Sequence, residues 1–397
     1  MKLKSLPEDF EVEELSEFPM TGGSFAVYLL TKRSIGTPEA ITAISQRWNI
    51  PRRAIGYGGL KDKHATTRQW VTIHRGPKRD LREESLSLTY QGHSSRPFGP
   101  QDISANRFHI VMRNLTDEAA TQIVARRESL AQFGVPNYYD DQRFGSLGES
   151  GEFIARPWCL GDYERALWLA IAEPNSHDRP NDRDDKEIIR RLWGDWTECK
   201  ATLRKSSVRS IITYLCDHPE RFREALALLR QDMRSLWLAA YQSDLWNRCL
   251  ATRLNESVDH SRLYSVQLAT ALVPFFTELA ATESEAWGEF SLPLPSARLH
   301  LEPGPLLDLY ERVLSEQGLT LRELRVKYPR DSFFSKGDRL AIVKPAKLKI
   351  ERSGADELNA GRQRVTLQFV LPRGSYATIL VKRLTVREPQ RREGFLD

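Results

Sequence analysis

The chain has 397 residues, 40% of them apolar, with nine Trp and sixteen Phe, which is enough to fill two domain cores and excludes a disordered protein. A net charge of +5 on 28% charged residues is compatible with a polyanionic partner without requiring one. Four cysteines without a CxxC pair and eight scattered histidines argue against a disulfide framework and a metal site. The absence of an apolar run near ~20 residues argues against a membrane span. The opening MKLKSLPEDFEVEEL lacks the apolar core of a signal peptide, so a reducing cytoplasmic setting is the expectation.

In chain order, Ser24–Leu30 reads as a mostly buried strand. The next helix takes Thr37 as N-cap and Pro38 as first residue, with Ala40, Ile41, Ile44 and Trp48 on one face. Gln69–His74 and Asn106–Leu115 are strands, the second with Phe108, Ile110 and Met112 on one side. Thr116 caps a helix that carries Asp117 and Glu118 at its positive end and closes at Gly134. Residues 172–191 are dense in charge and read as a solvated loop or helix cap. From Pro219 to Leu254 helical spacing dominates, with Phe222, Leu226, Leu229 and Met233 set for one face; Ser291–Pro305 is a proline-punctuated loop. Val365, Leu367, Phe369 and Leu371 alternate along a half-buried strand, Gly374 permits a turn into YATILVKRL, and the final REPQRREGFLD is polar and frayed. Strands and helices in no regular βαβ order indicate an α+β fold with a mixed or antiparallel sheet. A mostly helical block is inserted between its two strand-bearing ends.

No GxxxxGK[ST] loop, GxSxG elbow or HExxH pair is present. GYGGLKDKHATTRQW (Gly56–Trp70) instead sets a single acid, Asp62, among Lys61, Lys63, His64 and Arg68, directly after Gly58-Gly59-Leu60. A solvated surface turn is the ordinary reading of Lys-Asp-Lys. In a partly buried site the same cations would favour an ionised carboxylate able to act as nucleophile or base, and Thr66, Thr67 and Gln69 could hydrogen-bond a phosphate or a base edge. GVPNYYDDQRFG crowds Asn137, Gln142 and Arg143 between glycines, more polar groups than anchoring a loop requires. Phe108 in NRFHI, beside Asn106 and Arg107, is a core residue on its own and a stacking platform if nucleic acid lies against it.

Taken together these stretches resemble the TruD family of tRNA pseudouridine synthases. GLKDKHATTRQW resembles its GxKDKxAxTxQ signature, PEDFEVEEL its DFxVxE, and Lys32 with Thr37 its KxxxxT segment. NRFHI matches its NRFxI strand and PNYYDDQRFG its PNYFGxQRFG motif, while AYQSDLWN and LPRGSYAT match its two late motifs, so that the blocks run in order from Pro7 to Thr378. The chain departs from the family pattern at Tyr139-Asp140, where Phe-Gly is usual, and PMTGGSF lacks the Gly-Glu-His run common in bacterial members.

The resemblance implies a V-shaped, two-domain chain: a pseudouridine-synthase catalytic domain with a mixed sheet, formed by residues 1–150 and 336–397, and a mostly helical TRUD insertion domain, 151–335. It implies an isomerase that converts one uridine of tRNA, uridine 13 in the bacterial members, with no cofactor; a cytoplasmic monomer with no metal or membrane is the expectation beside it. Asp62 would be the nucleophile and Phe108 the ring stacked on the extracted base, with Asn106 its neighbour. Lys61 and Lys63 would suit both the RNA backbone and an ionised Asp62, and Asn137, Gln142 and Arg143 would shape the same pocket. Attack at C1′, attack at C6 and assistance of a glycal route all remain open in the sequence, as does the cation that orients Asp62. The competing expectation is a non-catalytic RNA-binding protein or chaperone on the same fold.

Overall fold

The computed structural model describes residues 1–385; the tail read as frayed lies outside the described residues. The chain divides into two compact units, Met1–Val135 with Val343–Asp397, and Pro136–Ile342.

The first unit is built on a nine-stranded sheet. Its strands are β1 (Phe10–Leu15), β2 (Phe25–Arg33), β3 (Ile55–Tyr57), β4 (Thr66–His74), β5 (Leu81–Arg82), β6 (Leu86–Ser94), β7 (Ala105–Leu115), β8 (Ala346–Ala355) and β9 (Gln363–Pro372). They lie in the order β8-β9-β7-β1-β4-β2-β6-β5, with β3 paired to β4. β1 and β4 run parallel, whereas β7 pairs antiparallel with both β1 and β9, and β2 with both β4 and β6. The fold is therefore α+β with a mixed sheet. The alternation of Val365, Leu367, Phe369 and Leu371 is realised in β9, where all four are buried.

Period-two geometry then decides which side chains share a face. In register across five strands lie Phe369, Phe108, Val12, Thr67 and Lys32. On the same face, one pleat along, are Leu371, Asn106 and Glu14. Helix Thr37–Trp48 covers part of this face, since Ala40, Ile41 and Ile44 share one buried cluster with Ala26, Tyr28, Leu30, Val71 and Ile73. Its cap differs from expectation. The N-cap is Gly36, and Thr37 is fully buried, its hydroxyl turned to Gln69 at 2.9 Å. Pro38 still sits in the first turn, where its missing N–H costs nothing.

Thr116 does cap its helix, accepting from Ala119 N at 3.1 Å, but the helix breaks at Arg126 into Asp117–Ala125 and Arg127–Phe133. Gly134 ends the second piece at φ 73°, and a Cβ there would lie 2.4 Å from the Val343 carbonyl oxygen. The segment YATILVKRL supplies a helix, Ala377–Thr385.

The second unit is mostly helical. Its core joins Trp158, Leu167, Ile212, Leu226, Tyr241 and Leu245, among others, and its longest helix is Gln231–Ser257. Two readings are corrected here. Residues 180–191 form a regular helix, which buries Ile189 fully and Asp185 against Arg204 while most of its remaining charge faces solvent. Phe222 to Met233 is not one helix: Phe222–Ala227 ends before Gln231 begins the next, so Met233 falls out of the apolar face and is exposed. Among the described residues no helix is long and apolar enough to cross a membrane.

One buried ion network ties the N-terminus of the first unit to β7 and the β8–β9 turn. Arg113 is 4% exposed at its side chain and donates to both Asp9 oxygens at 2.9 Å and to Asp356 at 3.1 Å. Burial alone would raise the Asp356 carboxyl, but the N–H groups of Asn114 and Leu358, the Asn359 amide and Arg113 outweigh it and hold it at about 2. This lies below the ~3.9 of an unfolded Asp, so its contribution is complete above that value and is lost as pH falls from about 4 through about 2. Arg113→Met, which strands two carboxylates, is expected to cost about 3–5 kcal/mol at pH 7 in urea unfolding, with the deficit shrinking below about pH 4. An unchanged urea midpoint at pH 7 would contradict it.

Candidate active site

The loop between β3 and β4 carries Asp62 over the polar end of the sheet face just described. Its path is dictated from below. Lys32 is 0% exposed and donates from Nζ to the carbonyls of Ile35 and Asp62, each at 2.7 Å, and more distantly to that of Lys61 at 3.4 Å. Thr37 Oγ1 accepts from Lys61 N at 3.0 Å and donates to Gln69 Oε1, while Gln69 Nε2 donates to the Gly59 carbonyl at 3.3 Å. Main-chain groups from Gly59 to Asp62 are thus held by three buried side chains, one each from β2, the following helix and β4. Thr67 and Gln69 are fully buried, which sets aside the expectation that they meet a phosphate or base edge; Gln69 instead supports the loop.

The two glycines before the loop differ. A Cβ on Gly58 would lie 2.4 Å from Ile103 Cδ1 and 2.9 Å from Phe98 Cε1, so only glycine fits there. A Cβ on Gly59 would meet open space.

The Asp62 side chain is 18% exposed. Its Oδ1 accepts from His64 N at 2.9 Å, and its Oδ2 forms an ion pair with Lys4 Nζ. Lys4 is in turn placed over the Phe10 ring, 4.4 Å from its centroid. The cation beside Asp62 therefore comes from the N-terminal segment, and neither sequence neighbour supplies it. Lys61 turns inward: its Nζ meets Glu14 Oε1 at 2.9 Å and donates to Asn106 Oδ1 at 2.8 Å. Lys63 is exposed. Glu14 has no side-chain exposure. Burial pushes its carboxyl up, against the Lys61 ammonium and the Trp70 N–H at 3.0 Å. Burial likewise lowers Lys32 to about 8, against the pull of Asp62 and Glu39.

Phe108 shares the face of Asn106. It is 7% exposed, stacked on Phe369 with centroids 5.3 Å apart and planes at 24°, and edge-on to Phe10. Asp62, Lys61, Asn106 and Phe108 thus gather on one end of one sheet face, together with Lys4, Lys32 and Glu14, which had not been picked out as site residues. The signals were present: Lys32 belongs to the KxxxxT segment and Glu14 lies in PEDFEVEEL.

Asn137, Gln142 and Arg143 belong to the second unit. Asn137 is buried, donating to the Leu340 carbonyl at 2.9 Å and accepting from Arg339 at 2.8 Å. Arg143 donates to Ser243 at 3.0 Å and lies over the Tyr139 ring. Gln142 and Arg143 line a pocket of about 280 Å³ with Ser146, Glu173 and Trp237. Two of the sequence blocks meet in this unit. Asn247 of AYQSDLWN clamps Tyr139 of PNYYDDQRFG, accepting from its N–H at 2.8 Å and donating to its carbonyl at 2.9 Å. Among the described residues no group of three or more His, Cys, Asp or Glu is placed to hold a metal ion.

The first unit is thus an α+β domain whose sheet face buries paired charges beneath one loop-borne carboxylate, with an aromatic ring alongside. Comparison with known proteins gives the family. Residues 1–384 match the family model described as tRNA pseudouridine synthase D (TruD). The chain is 31% identical to a protein of Methanocaldococcus jannaschii described as a probable tRNA pseudouridine synthase D 2, over 96% of this chain and 91% of that one. It is 28% identical to the tRNA pseudouridine synthase D of Aquifex aeolicus, over 97% and 98%. The crystal structure described as that of the putative tRNA pseudouridine synthase D (TruD) from Methanosarcina mazei superposes with a TM-score of 0.70 at 25% identity, covering 96% of this chain and 92% of that one. The chain belongs to the TruD family of pseudouridine synthases, which are isomerases.

The pairing of Glu14 with Lys61 gives a stability prediction. A carboxyl raised on folding contributes most below the ordinary carboxylate range and loses that contribution as pH rises through its folded value. Lys61→Met removes its counter-ion. The substitution is expected to cost about 3–5 kcal/mol at pH 7, less as Glu14 protonates in acid, and to be partly repaired by adding Glu14→Gln. Urea unfolding at pH 7 and pH 5 checks this; equal penalties at both would count against it.

Proposed function

We propose that Asp62 is the nucleophile of a tRNA uridine isomerisation in the cytoplasm, with uridine 13 as the target. In this reading the first compact unit is the catalytic domain and the second the family-specific insertion, with borders near 135 and 343 in place of the 150 and 336 expected from the sequence. The observation that carries it is the placement of Asp62: partly exposed, paired with Lys4, and held by its main chain on a buried polar base. A lysine ion pair favours the ionised carboxylate, and an ionised carboxylate with one face open to solvent is a competent nucleophile.

The reaction breaks the C1′–N1 bond of uridine, turns the uracil while it stays bound, and forms C1′–C5. The C5 hydrogen leaves as a proton and N1 ends protonated, so composition is unchanged and no oxidant or reductant is needed. A carboxylate can serve by adding to the ring or the sugar and leaving again. Before that the nucleotide has to leave its stack, at a cost of a few kcal/mol in a duplex. Phe108, fixed between Phe369 and Phe10, is the ring on which the extracted base stacks, and Asn106, tied to Lys61, lies beside it. Lys63 faces solvent and meets the RNA backbone. Gln142 and Arg143, lining the pocket of the second unit, contact RNA from there, and Asn137, held by Leu340 and Arg339, fixes the segment that carries them.

Transfer RNA carrying tritium at C5 of its uridines tests both claims, since each turnover releases tritium to water. Asp62→Asn should abolish release while leaving tRNA affinity within a few-fold of wild type, and release at the wild-type rate would remove Asp62 from the mechanism. Phe108→Ala should forfeit stacking worth ~1–3 kcal/mol and slow release more than it weakens binding. Unchanged kinetics would return Phe108 to the core.

A further inference from the structure

We infer that Lys32, Thr37 and Gln69 form a positioning device for the reacting carboxylate: buried beneath the loop, they fix the main chain from Gly59 to Asp62 so that the Asp62 side chain is presented in one orientation. The inference rests on the reading of Asp62 as nucleophile and assigns none of the three a direct contact with substrate.

The geometry is that of a clamp closed on backbone. Of the polar main-chain groups between Gly59 and Asp62, the Gly59 carbonyl, the Lys61 N–H and the carbonyls of Lys61 and Asp62 each meet a side chain of this set. None of the clamping residues is exposed, so none can meet RNA without moving the loop. Burying an ammonium costs several kcal/mol unless it is well paired. The most direct partner for Lys32 would be a carboxylate, yet its Nζ is spent on three carbonyls. An apolar side chain in that row of the sheet would serve the core as well, as Val12 and Phe108 do in the same row. What the lysine adds is a rigid attachment for Asp62 O, the carbonyl of the same residue whose carboxylate must reach a carbon atom.

The charged groups facing Lys32 are Asp62 and Lys61 from the loop and Glu39 from the helix that follows β2. Burial lowers it to about 8, Asp62 and Glu39 pull upward, and Lys61 pushes further down. As pH rises through about 8 the clamp loses its charge and one donor, so the catalytic rate should fall. Stability should not follow. The folded value lies below the ~10.4 of an unfolded lysine, so the unfolded chain binds more protons between about 8 and 10, and this group's contribution to stability rises across that window. A rate that declines while the melting temperature holds separates positioning from general unfolding.

The experiment measures single-turnover tritium release, tRNA affinity and melting temperature for wild type, Asp62→Asn, Lys32→Met, Thr37→Val and Thr37→Ser, from pH 6.5 to 9. A displacement near 1 Å at a reacting group is enough for a loss of about 100-fold. Lys32→Met and Thr37→Val are expected to lose about that in rate at near-normal tRNA affinity, Thr37→Ser to recover most of the Thr37→Val loss, and the alkaline decline near pH 8 to vanish in Lys32→Met. Wild-type rates in both Lys32→Met and Thr37→Val, with Asp62→Asn inactive, would overturn the clamp and leave the nucleophile standing. Losses that appear only in affinity would overturn it too. Full activity of Asp62→Asn would remove the underlying reading and the clamp with it. Should Lys32→Met fail to fold, the Val–Ser pair at Thr37 decides alone.

Discussion

Lys32 and Glu14 put two ionisable groups inside the face of a sheet, and a charge in that position is tolerated only if something satisfies it. For Glu14 the partners are Lys61 Nζ and the Trp70 N–H; for Lys32 they are carbonyl oxygens of the chain that crosses above. The same short loop meets part of both demands, beside the Trp70 N–H of β4 and the Ile35 carbonyl that follows β2. Its Lys61 side chain reaches down to Glu14 and Asn106, while the carbonyls of Lys61 and Asp62 cover Lys32. The loop is therefore positioned by the desolvation of charges beneath it, and Asp62 is left at its outer side, with Lys4 and a backbone N–H as partners.

This arrangement explains how a Gly-rich turn, flexible by composition, can hold in place the carboxylate proposed as the nucleophile. Gly58 is wedged against Ile103 and Phe98, where any Cβ would clash, and the next fixed points are Gly59 O and Lys61 N. Local freedom is used once, at the close approach, and is removed immediately afterwards by hydrogen bonds from rigid elements. Phe108 is treated in the same way, its ring orientation set by Phe369 and Phe10 within the sheet. The two groups the proposed mechanism uses, a carboxylate and an aromatic face, are both supported by regular structure even though one is carried on a loop.

Much of this was legible in the sequence. The alternation in β9, the Phe108–Ile110–Met112 face of β7 and the Thr116 cap are local patterns, and each appears in the structure as the residues suggest. The motif blocks gave Asp62, Asn106 and Phe108 as one group. What escaped was non-local. Lys4 lies 58 residues before Asp62, and no local pattern connects them. Thr37 before Pro38 has the composition of a helix cap, but tertiary hydrogen bonding to Gln69 and Lys61 N claims its hydroxyl and leaves the cap to Gly36. Lys32 falls beyond the strand read at Ser24–Leu30, although the strand runs on to Arg33, because propensity carries no information about carbonyls arriving from another element. The helix at residues 180–191 was hidden for a related reason: a helix that buries one isoleucine fully shows almost no apolar period.

The central claim is that Asp62 itself bonds to the substrate during the isomerisation. The most direct measurement uses tRNA transcribed with 5-fluorouridine, in which fluorine replaces the C5 hydrogen that must leave as a proton, followed by mass spectrometry of the protein and of the nucleosides. If the account is right, wild type carries a tRNA-linked adduct on the peptide containing Asp62, or releases a rearranged fluorinated nucleoside, and Asp62→Asn yields neither. An adduct on a different carboxylate, or a rearranged product formed equally by Asp62→Asn, would contradict it.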